Sequence, residues 1–278
     1  MRVYPKDGAV ISIAEAGGSG IYEFVGGAPI RQYNWGAIPQ FGPAISINFQ
    51  SLSTLDHMKA VPDDGSVVSI VEAGGSALYR FVGGAPIRLY NWGAIPNMPG
   101  VVGINFQSLS EYDHMREKPA DGSVISIVEA GGSGIYEFAG GAPMRLYNWG
   151  PIPGLKPAVG VNFQSLDELD HMSALPKDGQ FVTSLETGVV YRIAGGAPLR
   201  LYNPSGIPGY SGGASVVVNQ QTIDTYDHML ASPVNGTIIE GVTSHAQWQI
   251  TNGKRTSVSA QSNTVVVDEQ TVTDIPLL

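Results

Sequence analysis

The apolar positions of one representative stretch predict four β-strands in succession. Ser66–Glu72 is β-branched and apolar on both faces, which is typical of a strand that is covered on both sides. Ala77–Val82 and a segment from Pro86 to about Trp92 alternate with a period of two and are joined by Gly83-Gly84, a signal for a tight hairpin. Val101–Phe106 is predicted to be the fourth strand, after a loop rich in proline and glycine.

A short helix is predicted after the fourth strand. Ser108 and Glu111 have the spacing of a capping box, in which Ser108 is the N-cap residue. Leu109, Tyr112 and Met115 recur at helical spacing and form one apolar face. Because a helix this short is marginal in isolation, we expect its apolar face to pack on the sheets.

The same pattern recurs along the whole chain. Gly83–Gly93 has near-copies at Gly26–Gly36 and Gly140–Gly150 and a weaker copy at Gly195–Asn203. The turn before the first strand confirms the period, since Asp7-Gly8 and Asp64-Gly65 lie 64 − 7 = 57 residues apart and further copies follow at Asp121-Gly122, Asp178-Gly179 and Asn235-Gly236. We therefore predict one repeat domain, 1–278, made of five units at about 1–58, 59–115, 116–172, 173–229 and 230–278.

Four short strands per unit, with glycine-marked hairpins, favour an all-β fold: a five-bladed β-propeller of four-stranded blades with a short helix after each blade. We expect the strands of a blade to be antiparallel and the blades to be related by near five-fold rotation around a central channel. The alternative is an open β-solenoid or repeat array, which the degenerate fifth unit would cap.

Composition narrows the choice of partners. The net charge of −9 and a pI near 4.9 leave no basic stripe to neutralise phosphates, so nucleic acid and anionic membrane surfaces are disfavoured. The chain has no cysteine, and its longest apolar runs are only as long as strands, so we expect neither disulfides nor membrane insertion. We see no signal peptide before the first repeat and expect a monomer.

An Asp-His pair recurs in four units, at Asp56-His57, Asp113-His114, Asp170-His171 and Asp227-His228. Since sequence neighbours on a helix do not face each other, we expect that the Asp does not orient its own His, as a catalytic triad would require. One His per unit also supplies too few ligands for a metal. We found no nucleophile elbow and no phosphate loop, so we expect a structural role for these pairs and a protein that is not an enzyme and has no cofactor, metal or catalytic residue.

One constellation suits a sugar ligand. An exposed aromatic ring can stack on the apolar side of a pyranose while amide and guanidinium groups bind its hydroxyls. The candidate ligand-binding residues of the first three units are Arg31, Asn34, Trp35, Arg88, Asn91, Trp92, Arg145, Asn148 and Trp149. The alternative is that the aromatic residues fill the space between blades. The fourth unit has Pro204 in place of Trp, which favours a functional role for Trp in the other three.

Two resemblances bear on function. The segment from Tyr191 to Leu199, YRIAGGAPL, resembles a tandem repeat of secreted bacterial, especially actinomycete, proteins in which it is often appended to hydrolase domains. In repeat number and small size the chain is also similar to tachylectin-type five-bladed lectins, which bind amino sugars between blades, although no lectin motif matches residue by residue. The resemblances imply an extracellular, processed module that binds glycans at several sites; the alternative is a structural or protein-binding module, such as the attachment domain of a secreted enzyme.

Overall fold

A computed structural model of the chain describes residues 3–17, 19–38, 41–95, 98–212 and 215–278. Within these residues the strands form five four-stranded sheets in chain order. The first sheet comprises β1 (Val10–Ile13), β2 (Ile21–Val25), β3 (Ala28–Gln32) and β4 (Ile45–Ile47). The second comprises β5 (Val67–Ile70), β6 (Leu78–Val82), β7 (Ala85–Leu89) and β8 (Val101–Ile104). The third comprises β9 (Val124–Ile127), β10 (Gly134–Ala139), β11 (Ala142–Leu146) and β12 (Val159–Val161).

The last two sheets have the same composition. The fourth comprises β13 (Phe181–Ser184), β14 (Val190–Ala194), β15 (Ala197–Arg200) and β16 (Val216–Val218). The fifth comprises β17 (Ile238–Gly241), β18 (Gln247–Thr251), β19 (Lys254–Val258) and β20 (Val265–Val267). A short α-helix follows each sheet: α1 (Phe49–Ser53), α2 (Phe106–Glu111), α3 (Phe163–Glu168), α4 (Gln220–Thr225) and α5 (Glu269–Asp274). The predicted all-β propeller of five four-stranded blades, each followed by a short helix, is confirmed.

The direction of the fourth strand differs from our expectation. Each sheet has the order third, second, first, fourth strand, and the fourth strand runs parallel to the first, as in the pairing of Val68 with Val102. The expectation of wholly antiparallel blades is therefore wrong. A parallel pair requires the chain to cross back over the sheet between the third and fourth strands. The long loop that contains Trp92 makes this crossing in the second unit, apart from residues 96 and 97, which lie outside the described residues.

Two boundaries were also mispredicted. The first strand of the second unit ends at Ile70, and a 3-10 turn, Val71–Ala73, completes the predicted segment. The third strand ends at Leu89, and Trp92 opens a second 3-10 turn that ends at Ala94. Trp92 therefore lies in the loop and not on the strand, so it does not share a sheet face with Arg88.

The capping-box prediction is wrong because another residue opens the helix. Asn105 is the N-cap of α2, and Ser108 lies inside the helix, where its hydroxyl donates a hydrogen bond to the Arg31 carbonyl at 2.5 Å. The helix ends before Tyr112, which has a left-handed backbone with a φ of 51°. Met115 lies beyond the helix, although it still packs in the same apolar cluster as Leu109.

The chain divides into two compact units. The first comprises Met1–Ala120, Ile125–Ser133 and Ala158–His171; the second comprises Asp121–Val124, Gly134–Pro157 and Met172–Leu278. In the first, β2, β3 and α2 contribute Val25, Ile30 and Leu109 to one core with residues of the second sheet. In the second, Ile193, Ile223 and Met229 belong to one core and Ile239 and Ile250 to another. The rotational arrangement of the blades and the single repeat domain stay predictions.

No helix among the described residues is both long and apolar enough to cross a lipid bilayer.

Candidate functional site

A buried asparagine at the start of α2 fixes the main chain that leads into Trp35. The side-chain oxygen of Asn105 accepts hydrogen bonds from the backbone N–H groups of Tyr33 and Asn34, at 3.1 and 2.9 Å. Its amide donates to the Asn34 carbonyl at 3.0 Å and to the Glu72 carboxylate at 3.2 Å. We call this set of hydrogen bonds the junction and the loop that begins at Trp35 the tryptophan loop. Because the Asn105 amide uses both its oxygen and its N–H groups, the junction holds the start of the tryptophan loop in one conformation.

The same junction recurs in the next two units. Asn162 bonds the main chain of Tyr90 and Asn91, and Asn219 bonds that of Tyr147 and Asn148. In the fifth unit the residue is Asp268, which accepts from the N–H groups of Tyr202 and Asn203. Burial alone would raise the pKa of Asp268, but hydrogen bonds from the backbone of Thr271, Asn203 and Tyr202 outweigh it and lower the pKa below its usual value.

The junction leaves the tryptophan side chains in solvent. Trp35, Trp92 and Trp149 follow the bonded Asn directly and are 49%, 51% and 39% exposed. Asn34, Asn91 and Asn148 are also exposed residues. An indole that is half in water does not fill space between blades, so the alternative that we considered for Trp does not account for these three side chains.

In the first unit the indole borders a cavity of about 530 Å³. The Trp35 and Phe41 rings lie 6.1 Å apart at an interplanar angle of 33°, and both line the cavity together with Ser12 and Ile21. Phe41 comes from the far end of the same loop. The crossing of the loop over its own sheet therefore brings two aromatic rings to one concave, mostly apolar surface, which is the usual character of a small-molecule site.

The arginines are placed differently from the tryptophans. The guanidinium carbon of Arg31 lies 4.7 Å from the centre of the Tyr33 ring, and the corresponding distances are 4.9 Å for Arg88 over Tyr90 and 4.9 Å for Arg145 over Tyr147. Arg31 is not among the described residues that line the cavity at Trp35. The structure thus brings Trp and Asn together at the loop, while each Arg stacks on its Tyr at the end of the third strand.

A second aromatic residue at two of the three junctions escaped the sequence analysis. Phe106 and Phe163 directly follow the junction residues Asn105 and Asn162 and are 61% and 54% exposed. We assigned Phe106 to the end of a strand, where an apolar residue is expected to be buried. The signal that was available is the repeated Asn-Phe-Gln-Ser segment at the start of each of the first three helices, because Asn is a preferred N-cap and Phe then falls on the first turn of the helix.

The groove between the first and second sheets contains a buried carboxyl group. Glu23 lines a cavity of about 890 Å³, and burial raises the pKa of Glu23 to about 7. The equivalent residue of the second unit is Arg80, which lines a cavity of about 620 Å³ between the second and third sheets. These grooves are separate from the loop surface at Trp35, although Ile38 borders both cavities of the first unit.

The Asp-His pairs do not lie on helices. The His residues have left-handed backbones, with φ between 55° and 58° in the first four units. The His171 Nε2 lies 3.6 Å from the carboxylate of its own Asp170, and the other three pairs are at 3.7–3.8 Å. The premise that the pair lies on a helix and faces apart is wrong, because the helix ends before the pair and a turn brings the two side chains together. Their separation is still longer than a hydrogen bond, so the expectation that the Asp does not orient its own His stays a prediction.

Three of the four His residues, His114, His171 and His228, lie against aromatic rings, whereas His57 is exposed. His171 lies edge-on to the rings of Tyr79 and Tyr112, at 6.0 and 5.6 Å between ring centres, and its Nδ1 is 3.2 Å from the Tyr112 hydroxyl. Burial lowers the pKa of His171, opposed mainly by the negative charge of Asp170. Within the described residues, no cluster of three or more Asp, Glu or His side chains is suited to hold a metal ion.

No protein-family model, curated protein or solved structure matches the chain. The two resemblances drawn from the sequence therefore stay predictions.

Proposed function

We propose that the chain is a non-catalytic, multivalent carbohydrate-binding protein whose sites are the tryptophan loops of the first three units. The observation that carries the proposal is the exposure of Trp35, Trp92 and Trp149 at equivalent positions on main chain that a buried amide holds in place. A stacking platform that is rigid before the ligand arrives loses little conformational entropy on binding. Several such sites on one chain gain avidity on a surface that displays many glycans.

The loop contributes the groups that a sugar needs. The indole stacks on the apolar face of a pyranose, and the exposed side-chain amide of the preceding Asn binds hydroxyls as both donor and acceptor. In the first unit Phe41 widens the platform, since its ring lies 6.1 Å from that of Trp35. Arg31 has a secondary part in this proposal because its guanidinium is stacked on Tyr33.

The exposed phenylalanines extend two of the three sites. Asn105 and Asn34 are hydrogen-bonded at 3.0 Å, and each is followed directly by an exposed aromatic residue, Phe106 and Trp35. The Trp92 junction likewise has Phe163, whereas the residue that follows Asn219 at the Trp149 junction is Gln220. We therefore expect oligosaccharides to bind more tightly at the first two sites than at the third.

The first test is a glycan array probed with the wild-type chain and with the triple variant Trp35→Ala, Trp92→Ala, Trp149→Ala. The proposal expects glycan signals that the triple variant loses at unchanged melting temperature. Trp248→Phe is the matched control, because it removes the tryptophan of the fifth unit, which lies under Arg255 and outside the proposed sites, and it should leave the signals intact. Signals that survive in the triple variant would contradict the assignment of the site.

The competing class is a structural or protein-binding module. Exposed Phe49, Phe106 and Phe163 at one repeated position are the observation that favours it, since aromatic side chains are enriched where proteins bind each other. A silent glycan array, together with a defined protein partner that the Phe106→Ser, Phe163→Ser variant no longer binds, would replace the carbohydrate proposal. The carbohydrate-binding proposal also includes an extracellular location for the chain, as a processed bacterial module.

A further inference from the structure

The repeat places opposite charges at one position of equivalent grooves. Glu23, Arg80, Glu137 and Arg192 occupy the same place on the second strand of the first four units. The carboxyl oxygen of Glu23 lies 3.8 Å from the point where a Cβ of Gly8 would stand, and the Arg80 guanidinium lies 3.6 Å from that of Gly65. The two side chains therefore run in the same direction, past the glycine of the Asp-Gly turn.

The arginines show what this position does when it is positively charged. Arg80 donates from Nε to the Gly65 carbonyl at 3.3 Å and from Nη1 to the Gly160 carbonyl on β12 at 3.0 Å. Arg192 likewise donates from Nη1 to the Val266 carbonyl on β20 at 2.8 Å. A guanidinium thus bridges one sheet to the fourth strand of the next in both of these grooves.

The groove at Glu23 has the acceptors of this bridge without its donor. Gly8 and Gly103, the equivalents of Gly65 and Gly160, line the 890 Å³ cavity together with Glu23. Where Gly160 has the Arg80 guanidinium beside it, the nearest groups to Gly103 are the side chains of Val71 and Ile38. The cavity is also larger than the 620 Å³ cavity at Arg80, as expected when no arginine side chain enters it.

The negative charge of the Glu23 carboxylate has no positively charged partner among the described residues. Glu23 is 8% exposed, and its described hydrogen-bond partner is the neutral Gln32 amide, whose Nε2 lies 3.5 Å away. No ion pair to Glu23 is found among the described residues. A buried carboxylate without a positively charged partner is costly, and an incoming cation would reduce that cost.

We propose that the cavity beside Glu23 binds a small organic cation headed by a guanidinium group, which takes the place that the Arg80 side chain fills in the next groove. The guanidinium pairs with the Glu23 carboxylate and donates to the carbonyls of Gly8 and Gly103. The apolar stem of the ligand lies against Ile38 and Val71 on the cavity wall. This site uses none of the proposed sugar-binding side chains, since Trp35 does not line it, although Ile38 borders both this cavity and the one at Trp35.

Ionisation of Glu23 gives the proposal a second readout. Burial raises the pKa of Glu23 to about 7, so at pH 6 most of the carboxyl groups are protonated and a cation must displace the proton. Lys6 and Asp7 are the other charged residues that line the cavity. Between pH 8 and pH 6 the ionised fraction of Glu23 falls about tenfold, so binding should weaken about tenfold.

The experiment is a titration of the whole chain with ethylguanidinium, followed by NMR or calorimetry at pH 8, with neutral N-ethylurea as the uncharged isostere. Ethylguanidinium should bind and ethylurea should not. Glu23→Gln should weaken binding at least about tenfold and abolish its pH dependence, since it removes a charge-assisted hydrogen bond. Glu23→Arg, which copies the second unit and so is expected to fold, should abolish binding by filling the site.

Glu137→Gln is the matched control. Glu137 is also buried and its pKa is also raised to about 7 by burial, but the charge of Lys156 already acts on it, so this variant should keep the wild-type affinity at the Glu23 site. Equal binding of the urea would overturn the proposal, as would binding that persists in folded Glu23→Gln and Glu23→Arg. Loss of binding in Glu137→Gln alone would overturn the assignment to Glu23.

Discussion

Asn105 and Asn48 are N-cap residues of equivalent helices, but they use their side chains differently, and replacing each by alanine separates the two roles. Asn48 is exposed and accepts from the N–H of Ser51 at 2.8 Å, as an ordinary N-cap does. Asn105 is 1% exposed, and its side chain forms hydrogen bonds with the main chain of Tyr33 and Asn34 and with the Glu72 carboxylate. The first unit also exposes the strand before its helix, where Ile45 is 69% exposed while the equivalent Val102 is 7% exposed.

The magnitudes follow from these contacts. Loss of an N-cap typically costs about 1 kcal/mol, which is what we expect for Asn48→Ala. Asn105→Ala leaves two backbone N–H groups and one carbonyl without their partner at a partly buried junction, each at about 1–1.5 kcal/mol, so the free energy of unfolding should fall by about 3–4 kcal/mol. The measurement is urea unfolding followed by circular dichroism, with tryptophan fluorescence as the second probe.

A charge variant tests the same junction in another way. Asn105→Asp keeps the acceptor oxygen but places a carboxylate beside that of Glu72, and it should be destabilising. The fifth unit carries Asp268 where the others have Asn, and there Thr243 stands at the position of Glu72. The double variant Asn105→Asp, Glu72→Thr should therefore recover at least half of the loss. Equal effects of Asn48→Ala and Asn105→Ala, or no recovery in the double variant, would refute this account of the junction.

Three further predictions concern stability. Gly140→Ala should lower the free energy of unfolding in urea by more than about 2 kcal/mol, because Gly140 has a φ of 56° and an added Cβ would lie 2.5 Å from the backbone nitrogen of Lys177. An unchanged unfolding midpoint would contradict this prediction. Hydrogen bonds hold the pKa of Asp268 below its usual value despite burial, so it stabilises the fold above pH 4 and that contribution should disappear in acid, a loss that Asp268→Asn should lack in a pH series of melting temperatures. Burial raises the pKa of Glu137 to about 7, so the contribution of Glu137 to the free energy of unfolding is full below pH 4.5 and is lost as the pH rises through 7. Glu137→Gln should therefore gain stability relative to wild type between pH 5 and pH 8. A difference in stability that stays constant over this range would contradict the assignment.

The parts of the fold that local chemistry determines could be predicted from the sequence. The Asp-Gly turns and the Gly-Gly hairpins mark strand ends directly, since glycine supplies the positive φ that these turns require: Gly83 and Gly84 have φ of 55° and 80°. The parallel pairing of β5 with β8 could not be predicted in this way. Strand direction depends on where a loop of many residues delivers the chain, and no residue pattern within β8 encodes it.

Two errors at the candidate site have different causes. Ser108 satisfies the pattern of an N-cap, but its hydroxyl bonds the Arg31 carbonyl of another unit, a contact at 77 residues' separation. Phe106 satisfies the pattern of a strand core residue, yet it opens a helix in solvent. A contact between units decided the role of Ser108, and single-unit patterns carry no information about such contacts. Phe106 was misassigned because the helix begins after Asn105, for which the Asn-Phe-Gln-Ser segment was a signal within the unit.

The most direct test of the central claim is titration calorimetry with the glycan that gives the strongest array signal, on the wild type and on Trp35→Ala, Trp92→Ala and Trp149→Ala, singly and together. Aromatic stacking is typically worth about 1–3 kcal/mol, so each single variant should weaken one site by about 10- to 100-fold. The account predicts a stoichiometry near three that falls stepwise to none while the melting temperature stays constant. A stoichiometry of five, or one that the triple variant leaves unchanged, would contradict it.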